Sequence, residues 1–413
     1  MSNRESFLRT KLFPKIVADG VFGVDAEYSG FELDTDSVVG DGFSSDILFG
    51  KVLMTNGQSH PVVMKFKHKN AKVASETNMH EKFYNEYVFY DQLLPELSRN
   101  TSSTSITDMF PKFWYSNASL DDRQKSEDEE QVIVLENMYP KGYQVPKERI
   151  FLDKDHVRLA MRKLGAFHGY SYASKSNSTR RQLFLQLLGQ LVETEWFFGY
   201  WYRCPTFLSS TAYRGIETYV TEESRRGDYG ASTDQLENIC ALLDGNSETM
   251  KTMVTPKEPF AVLCHGDFCR NNLLYKYDAT GRPIDVLMFD VAQARYSSPA
   301  IDISFFLYLN TTEEDRQKYW DSYMAAYLDG MAEAFPELNL PDIEQEMQPY
   351  AFYGYAHCAF FLPGLVNPTP PDVAKLSQAT IEECIEMIVE SGGAKADYLL
   401  AAIIRHMIQR KYV

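Results

Sequence analysis

The spacing of apolar positions along the chain changes near Lys141–Pro146, and it predicts a different architecture on either side of that break. Before it, residues 31–39 (FELDTDSVV), 40–54 (GDGFSSDILFGKVLM) and 60–66 (HPVVMKF) read as short strands bounded by Gly, Asn or Asp, which predicts a β-meander. Residues 75–97 then carry Phe83, Tyr87, Tyr90 and Leu94 at the spacing of an amphipathic helix, with Ser75 near its start and Pro95 at its end. Two more strands are expected at 110–119 and 131–139, either side of the charge-dense stretch LDDRQKSEDEE, so this part reads β-β-β-α-β-β. Beyond the break, long helices are expected at 156–174, 180–203 and 232–246. Two short strands, 272–277 and 285–291, interrupt them, and helix follows to Val413. The expectation is an α+β fold of two domains, 1–140 with a hinge near 136–140, and 141–413.

Composition narrows the function. A chain of 413 residues with 44% hydrophobic content buries more than one simple core, and a net charge of -16 argues against a nucleic-acid surface. The N-terminus MSNRESFLRTKLFPK has no apolar core of a signal peptide, and no run approaches the length of a membrane span, so a soluble, cytoplasmic protein is expected. The six cysteines have neither disulfide nor zinc spacing.

The chemistry concentrates in VLCHGDFCRNNLLY, residues 262–275, where His265, Asp267 and Asn272 interrupt apolar ends in the pattern H-x-D-x-x-x-x-N. Asp290 follows at the close of the strand DVLMFD. Phosphoryl transfer needs one carboxylate to orient the attacking hydroxyl and take its proton, and an amide with a second carboxylate to hold Mg²⁺ against nucleotide phosphates. Asp267 suits the first role, and Asn272 with Asp290 the second; taken singly, each also suits a turn cap or a strand end.

With these residues in place, the chain resembles the ecdysteroid kinase-like (CHK kinase-like) family, related to choline kinases and aminoglycoside phosphotransferases. The resemblance runs from about Gly40 to beyond Asp302 through VVMKF, FYNEYVFYDQLLP, VIVLENM, LGAFHGYSYA, HGDFCRNNLLY and ARYSSPAIDISFFL. It implies a protein-kinase-like two-lobe fold, with an N-terminal antiparallel sheet and one helix joined to a larger, mainly helical C-terminal lobe. It also implies ATP and Mg²⁺ as cofactors, Lys65 on the phosphates (Lys67 being its rival), and Glu86 paired with that lysine. Gly40, Gly42 and Ser44 stand where the family's phosphate loop belongs, and Glu136, Asn137 and Met138 where an adenine hinge would run. His265 and Asp302 are implied as supports of the catalytic loop, helix N-capping being the other reading of Asp302. His168 matches a family position but reads as a core histidine.

Two features depart from the family, Cys269 in place of an aromatic and Asp290-Val291-Ala292 in place of D-F-Q. The segment between Asp290 and Asp302 is too short for an activation segment, which favours a small-molecule acceptor over a protein. The aromatic stretches Glu195–Arg203 and Tyr350–Pro363 suit a pocket for a lipophilic alcohol, and equally suit a core. By resemblance the acceptor is an ecdysteroid or a xenobiotic alcohol. The alternatives are a choline- or aminoglycoside-like kinase and a nucleotide-binding pseudokinase.

Overall fold

The structure is a computed structural model that describes residues 3–34, 45–67, 78–100, 105–120, 130–194, 207–226, 230–336, 342–367 and 379–413. Five antiparallel strands form its first sheet: β1 (Tyr28–Asp34), β2 (Ser45–Met54), β3 (Ser59–Lys67), β4 (Phe113–Ser116) and β5 (Val132–Glu136), in the order β1-β2-β3-β5-β4. The two-residue period decides the faces. Val62, Met64 and Phe66 of β3, with Val132 and Val134 of β5, bury one face against Phe13 and Ile16. Ile133 and Leu135 point the other way, into the main core. Lys65, opposite Ile133 in register, is on that second face. Phe13 and Ile16 come from three short helical turns, Asn3–Phe7, Leu8–Leu12 and Phe13–Ala18. The middle turn is π-helical, and Leu8, Leu12 and Ile16 recur every four residues along the stretch, a helical spacing that the reading above did not use.

One helix, α1 (Met79–Val88), packs on the Lys65 side. The helical path continues through a π-helical turn at Phe89–Leu93 and a last turn at Leu94–Ser98. Pro95 therefore does not end the helix: it lies in the first turn of Leu94–Ser98, where its missing N–H costs little. Ser75, the expected start, lies outside the described residues, and Asn78 caps α1 in a left-handed conformation.

The remainder is mainly helical, from α2 (Lys154–Ser176) and α3 (Phe207–Arg226) through α4 (Ala300–Asn310) and α5 (Glu313–Ala334) to α6 (Ile343–Val366) and α7 (Gly393–Gln409). Every residue of α4 is buried. Helices α2 and α5 cross in backbone contact: a Cβ on Gly165 would fall 1.9 Å from the Tyr327 carbonyl oxygen, and one on Gly330 1.9 Å from that of Arg162. The helix expected over 180–203 spans only Ser178–Leu188 and stops at Gly189. Residues 195–206, which hold its aromatic stretch, lie outside the described residues.

Both expected C-terminal strands are present, as β8 (Leu273–Tyr277) and β9 (Pro283–Met288). Three more accompany them: β6 (Tyr143–Gln144) on the edge of β8, and β7 (Val262–Cys264) paired with β10 (Arg295–Ser297). At two or three residues each, these are too short to show a period. The architecture is the α+β, two-lobe one expected: a small antiparallel sheet with one helix, and a larger helical lobe. Among the described residues no helix is long and apolar enough to cross a membrane.

Candidate active site

The loop from His265 to Asn272 joins β7 to β8, and its shape is set by backbone constraints. Gly266 has φ +80°, and a Cβ there would fall 1.9 Å from the Gln293 carbonyl oxygen, so only glycine lets the loop pass. Helix α4 holds the loop at both ends. The Asp302 carboxylate accepts from the backbone N–H of His265 at 2.7 Å and of Gly266 at 3.0 Å, while Asn310 Oδ1 accepts from that of Arg270 at 3.2 Å. Pro299 stands at the N-cap of α4, so Asp302 serves the loop and not the helix end. His265 Nε2 lies 3.0 Å from the Phe289 carbonyl oxygen, which can only accept, so the ring donates there and ties the loop to the residue before Asp290.

Within the loop, Asn272 Nδ2 donates to Asp267 twice, to the carbonyl at 2.9 Å and to Oδ2 at 3.0 Å. The Phe289 N–H donates to the Asn272 carbonyl at 3.1 Å, continuing the β8–β9 pairing, so Asn272 and Asp290 leave adjacent strand ends. Asp290 does not close its strand: β9 ends at Met288, and Asp290 lies beyond it with φ +59°, a left-handed conformation uncommon for a non-glycine residue.

Across the cleft, Lys65 Nζ lies 2.6 Å from Asp290 Oδ1 and 2.7 Å from Glu86 Oε2. Lys65 is 7% exposed and Glu86 1%, so this is a buried pair, where losing one partner costs about 3–5 kcal/mol. Burial works against charge on Lys65, but Asp290 and Glu86 outweigh it and hold the ammonium above its ordinary range. Burial pushes Glu86 upward, against the pull of Lys65. Lys65, shared by two carboxylates, stays charged. Burial also acts upward on Asp290, and Lys65 overcomes it and keeps that carboxyl below its usual range. Asp267 moves the other way: burial and then the charge of Asp290 push it up. One carboxylate is thus held ionised and its neighbour is made more basic, which is the division a proton acceptor beside a metal ligand requires.

The donor set fits a hard divalent cation. Lys65 takes one oxygen of Asp290, and Asn272 turns its nitrogen to Asp267, which leaves one carboxylate and one amide oxygen for a metal such as Mg²⁺. A second group, His168, Cys264 and Asp302, gathers ligand-type atoms within 4.8 Å of one another. Its bonds are already committed: His168 lies 2.8 Å from the Tyr327 hydroxyl and 3.2 Å from Asp302, and burial drives the Cys264 thiol well above its ordinary range. That group is an internal brace.

Other expected residues lie elsewhere. Gly40, Gly42 and Ser44 fall outside the described residues. Lys67 Nζ lies against His80 and not Glu86. Glu136 pairs with Lys141 at 2.9 Å, and the N–H groups of Glu136 and Asn137 donate to Lys112 and Pro61. Met138 packs with Leu274 and Leu287, an apolar surface next to the linker that could seat a flat ring. Sequence reasoning passed over Leu274, the second residue of β8. It also passed over Asn310, whose only sequence signal is its place at the end of α4, and Lys82, one helical turn before Glu86. Lys82 is buried, burial lowers its basicity, and the charges of Asp267 and Asp290 act on it in the opposite sense.

Of the expected aromatic pocket, Tyr350, Phe352, Tyr353 and Tyr355 of α6 are core residues. A surface cavity of about 410 Å³ beside Tyr350, Pro349, Leu242 and Met253 shares no residue with the Lys65–Asp290 cluster.

Comparison with known proteins gives a family and a set of distant structures. The model of the ecdysteroid kinase-like family matches residues 39–340. No curated protein matches the chain in sequence. Among solved structures, a type I macrolide 2'-phosphotransferase is 13% identical, covers 87% of this chain and 93% of its own, and has a TM-score of 0.37. An amicoumacin kinase in complex with AMP-PNP, Ca²⁺ and Ami is 14% identical, with coverages of 88% and 91% and a TM-score of 0.41. A macrolide 2'-phosphotransferase from Brachybacterium faecium, an apoenzyme, is 12% identical, with coverages of 91% and 96% and a TM-score of 0.39.

Proposed function

The chain belongs to the ecdysteroid kinase-like family, and from that premise we propose that it transfers the γ-phosphoryl group of ATP to a hydroxyl of a lipophilic small molecule, an ecdysteroid or a xenobiotic alcohol. The observation that carries this reading is the buried Lys65 ammonium held between Glu86 and Asp290, with Asp267 made more basic beside them.

In this reading residues 1–140, with the hinge near 136–140, bind the nucleotide, and residues 141–413 hold the catalytic loop and the acceptor. Lys65 contacts the phosphates, kept in direction by Glu86, and Met138 lies against the base. Gly40, Gly42 and Ser44 are assigned to the phosphates on the sequence alone. A divalent ion such as Mg²⁺ held by Asn272 and Asp290 would neutralise charge on the transferring phosphate. Asp267 orients the acceptor hydroxyl and takes its proton, and His265 and Asp302 keep the loop in register. Little covalent chemistry falls to the protein, so rate comes from position and charge.

Val291 and Ala292 are buried, so the departure from D-F-Q changes packing and leaves the Asp290 carboxylate in place. That supports an active enzyme over a pseudokinase. Asp267→Asn tests the base assignment. We expect turnover to fall by about 10²- to 10⁴-fold with nucleotide affinity retained, measured as ADP release and AMP-PNP binding. Unchanged turnover would remove Asp267 from the chemistry.

A further inference from the structure

Helix α1 is fastened across the cleft by a device that the roles above do not include. Asn85 is fully buried, and both ends of its carboxamide are used on one residue: Oδ1 accepts from the Val192 N–H at 2.9 Å, and Nδ2 donates to the Val192 carbonyl at 2.7 Å. Seven residues earlier, at the N-cap of α1, the Asn78 carboxamide donates to the Thr194 carbonyl. Between them Glu193 turns the other way and pairs with Arg295 Nη2 at 3.1 Å. Arg295 is buried in β10 directly opposite Cys264, the residue before His265, and its Nη1 donates to the Tyr353 hydroxyl at 3.1 Å. Three consecutive residues thus grip the helix that carries Glu86 and the strand pair that carries the catalytic loop.

The geometry explains why this matters for the site. Asn85 and Glu86 are neighbours, so they project about 100° apart around the helix axis. Fixing Asn85 on Val192 sets the rotation of α1, and with it the direction in which Glu86 meets Lys65. A buried carboxamide is tolerated only when its bonds are made, so α1 has a single well-satisfied setting against this segment.

We infer that residues 192–194 are a clasp that positions Glu86, and through it Lys65, against the catalytic loop, with Asn85 as the positioning residue that closes it. The inference rests on the proposed kinase reading for its consequence in catalysis, and on the hydrogen bonds alone for the clasp itself.

Two readouts on the full-length protein test it. In Asn85→Leu, which keeps the volume and removes both bonds, hydrogen exchange should rise together over 79–88 and 190–194. In ADP release from Mg-ATP with a mixture of ecdysteroid and other lipophilic alcohols, kcat should fall about 10- to 100-fold while the KM for the alcohols is unchanged. Because Asn85 acts through Glu86, adding Asn85→Leu to Glu86→Gln should cost little more than Glu86→Gln alone. Multiplying effects, or unchanged exchange over 79–88, would overturn the inference. Should Asn85→Leu fail to fold, Glu193→Ala releases the clasp from Arg295 on a partly exposed side chain, and the same rise in exchange over 79–88 is required. If the wild-type protein turns over no ATP, the kinase reading fails, and the exchange measurement still decides the clasp.

Discussion

Asp302 shows how much of the site depends on one buried carboxylate. Burial acts to raise it, and the hydrogen bond from His168 and the N–H groups of His265 and Gly266 overcome that and hold it below its ordinary range. Burial lowers His168, so the ring donates as a neutral group and the charge rests on Asp302. A carboxyl whose folded value is depressed contributes stability above its unfolded value and loses it as pH falls through the folded one. Asp302→Asn places an amide donor against two donors, so we expect a loss of about 3 kcal/mol near pH 7 that shrinks toward acid pH, read from urea unfolding. A loss that grows toward acid pH would contradict the assignment. At this scale the sequence was legible as a grouping of residue types: Lys65 meets Glu86 and Asp290, and Asn272 meets Asp267, although Asp290 lies beyond its strand and not at its close. Asn85, Asn310 and Lys82 were illegible, because an amide or lysine on a helix is ordinarily solvated and only the fold reveals what it meets.

At the scale of elements, the crossing of α2 and α5 sets the floor on which α4 and the loop rest. Their backbones touch at Gly165 and Gly330, where a methyl group would overlap a carbonyl of the partner helix. Gly330→Ala should therefore force the pair apart and lower stability by about 3 kcal/mol, despite alanine's better helix propensity of about 1 kcal/mol. An unchanged midpoint in thermal unfolding would show that the crossing gives way. Longer elements were readable from period alone, as with α2, β2, β3 and β5. The misreadings have local causes. Pro95 falls in the first turn of Leu94–Ser98, just after a π-helical turn, Gly189 stops a helix whose apolar pattern runs on, and β6, β7 and β10 are held by pairing partners distant in the sequence.

The whole molecule is a small sheet and a helical lobe, with Lys65 and Glu86 contributed by one and Asp267, Asn272 and Asp290 by the other. The broad change from strands to helices followed from the apolar spacing, and the two-lobe arrangement from the family resemblance. What the acceptor is did not follow, since the aromatic residues read as a pocket are largely core in α6. The account stands or falls on chemistry at the junction of the lobes. The most direct measurement is mass spectrometry of a metabolite extract incubated with the purified protein, Mg²⁺ and ATP. The account predicts a product heavier than its precursor by one phosphate group, formed only with ATP and absent when Asp267→Asn replaces the wild type. No such product across ecdysteroid, sterol and xenobiotic alcohols, with AMP-PNP still bound, would contradict it.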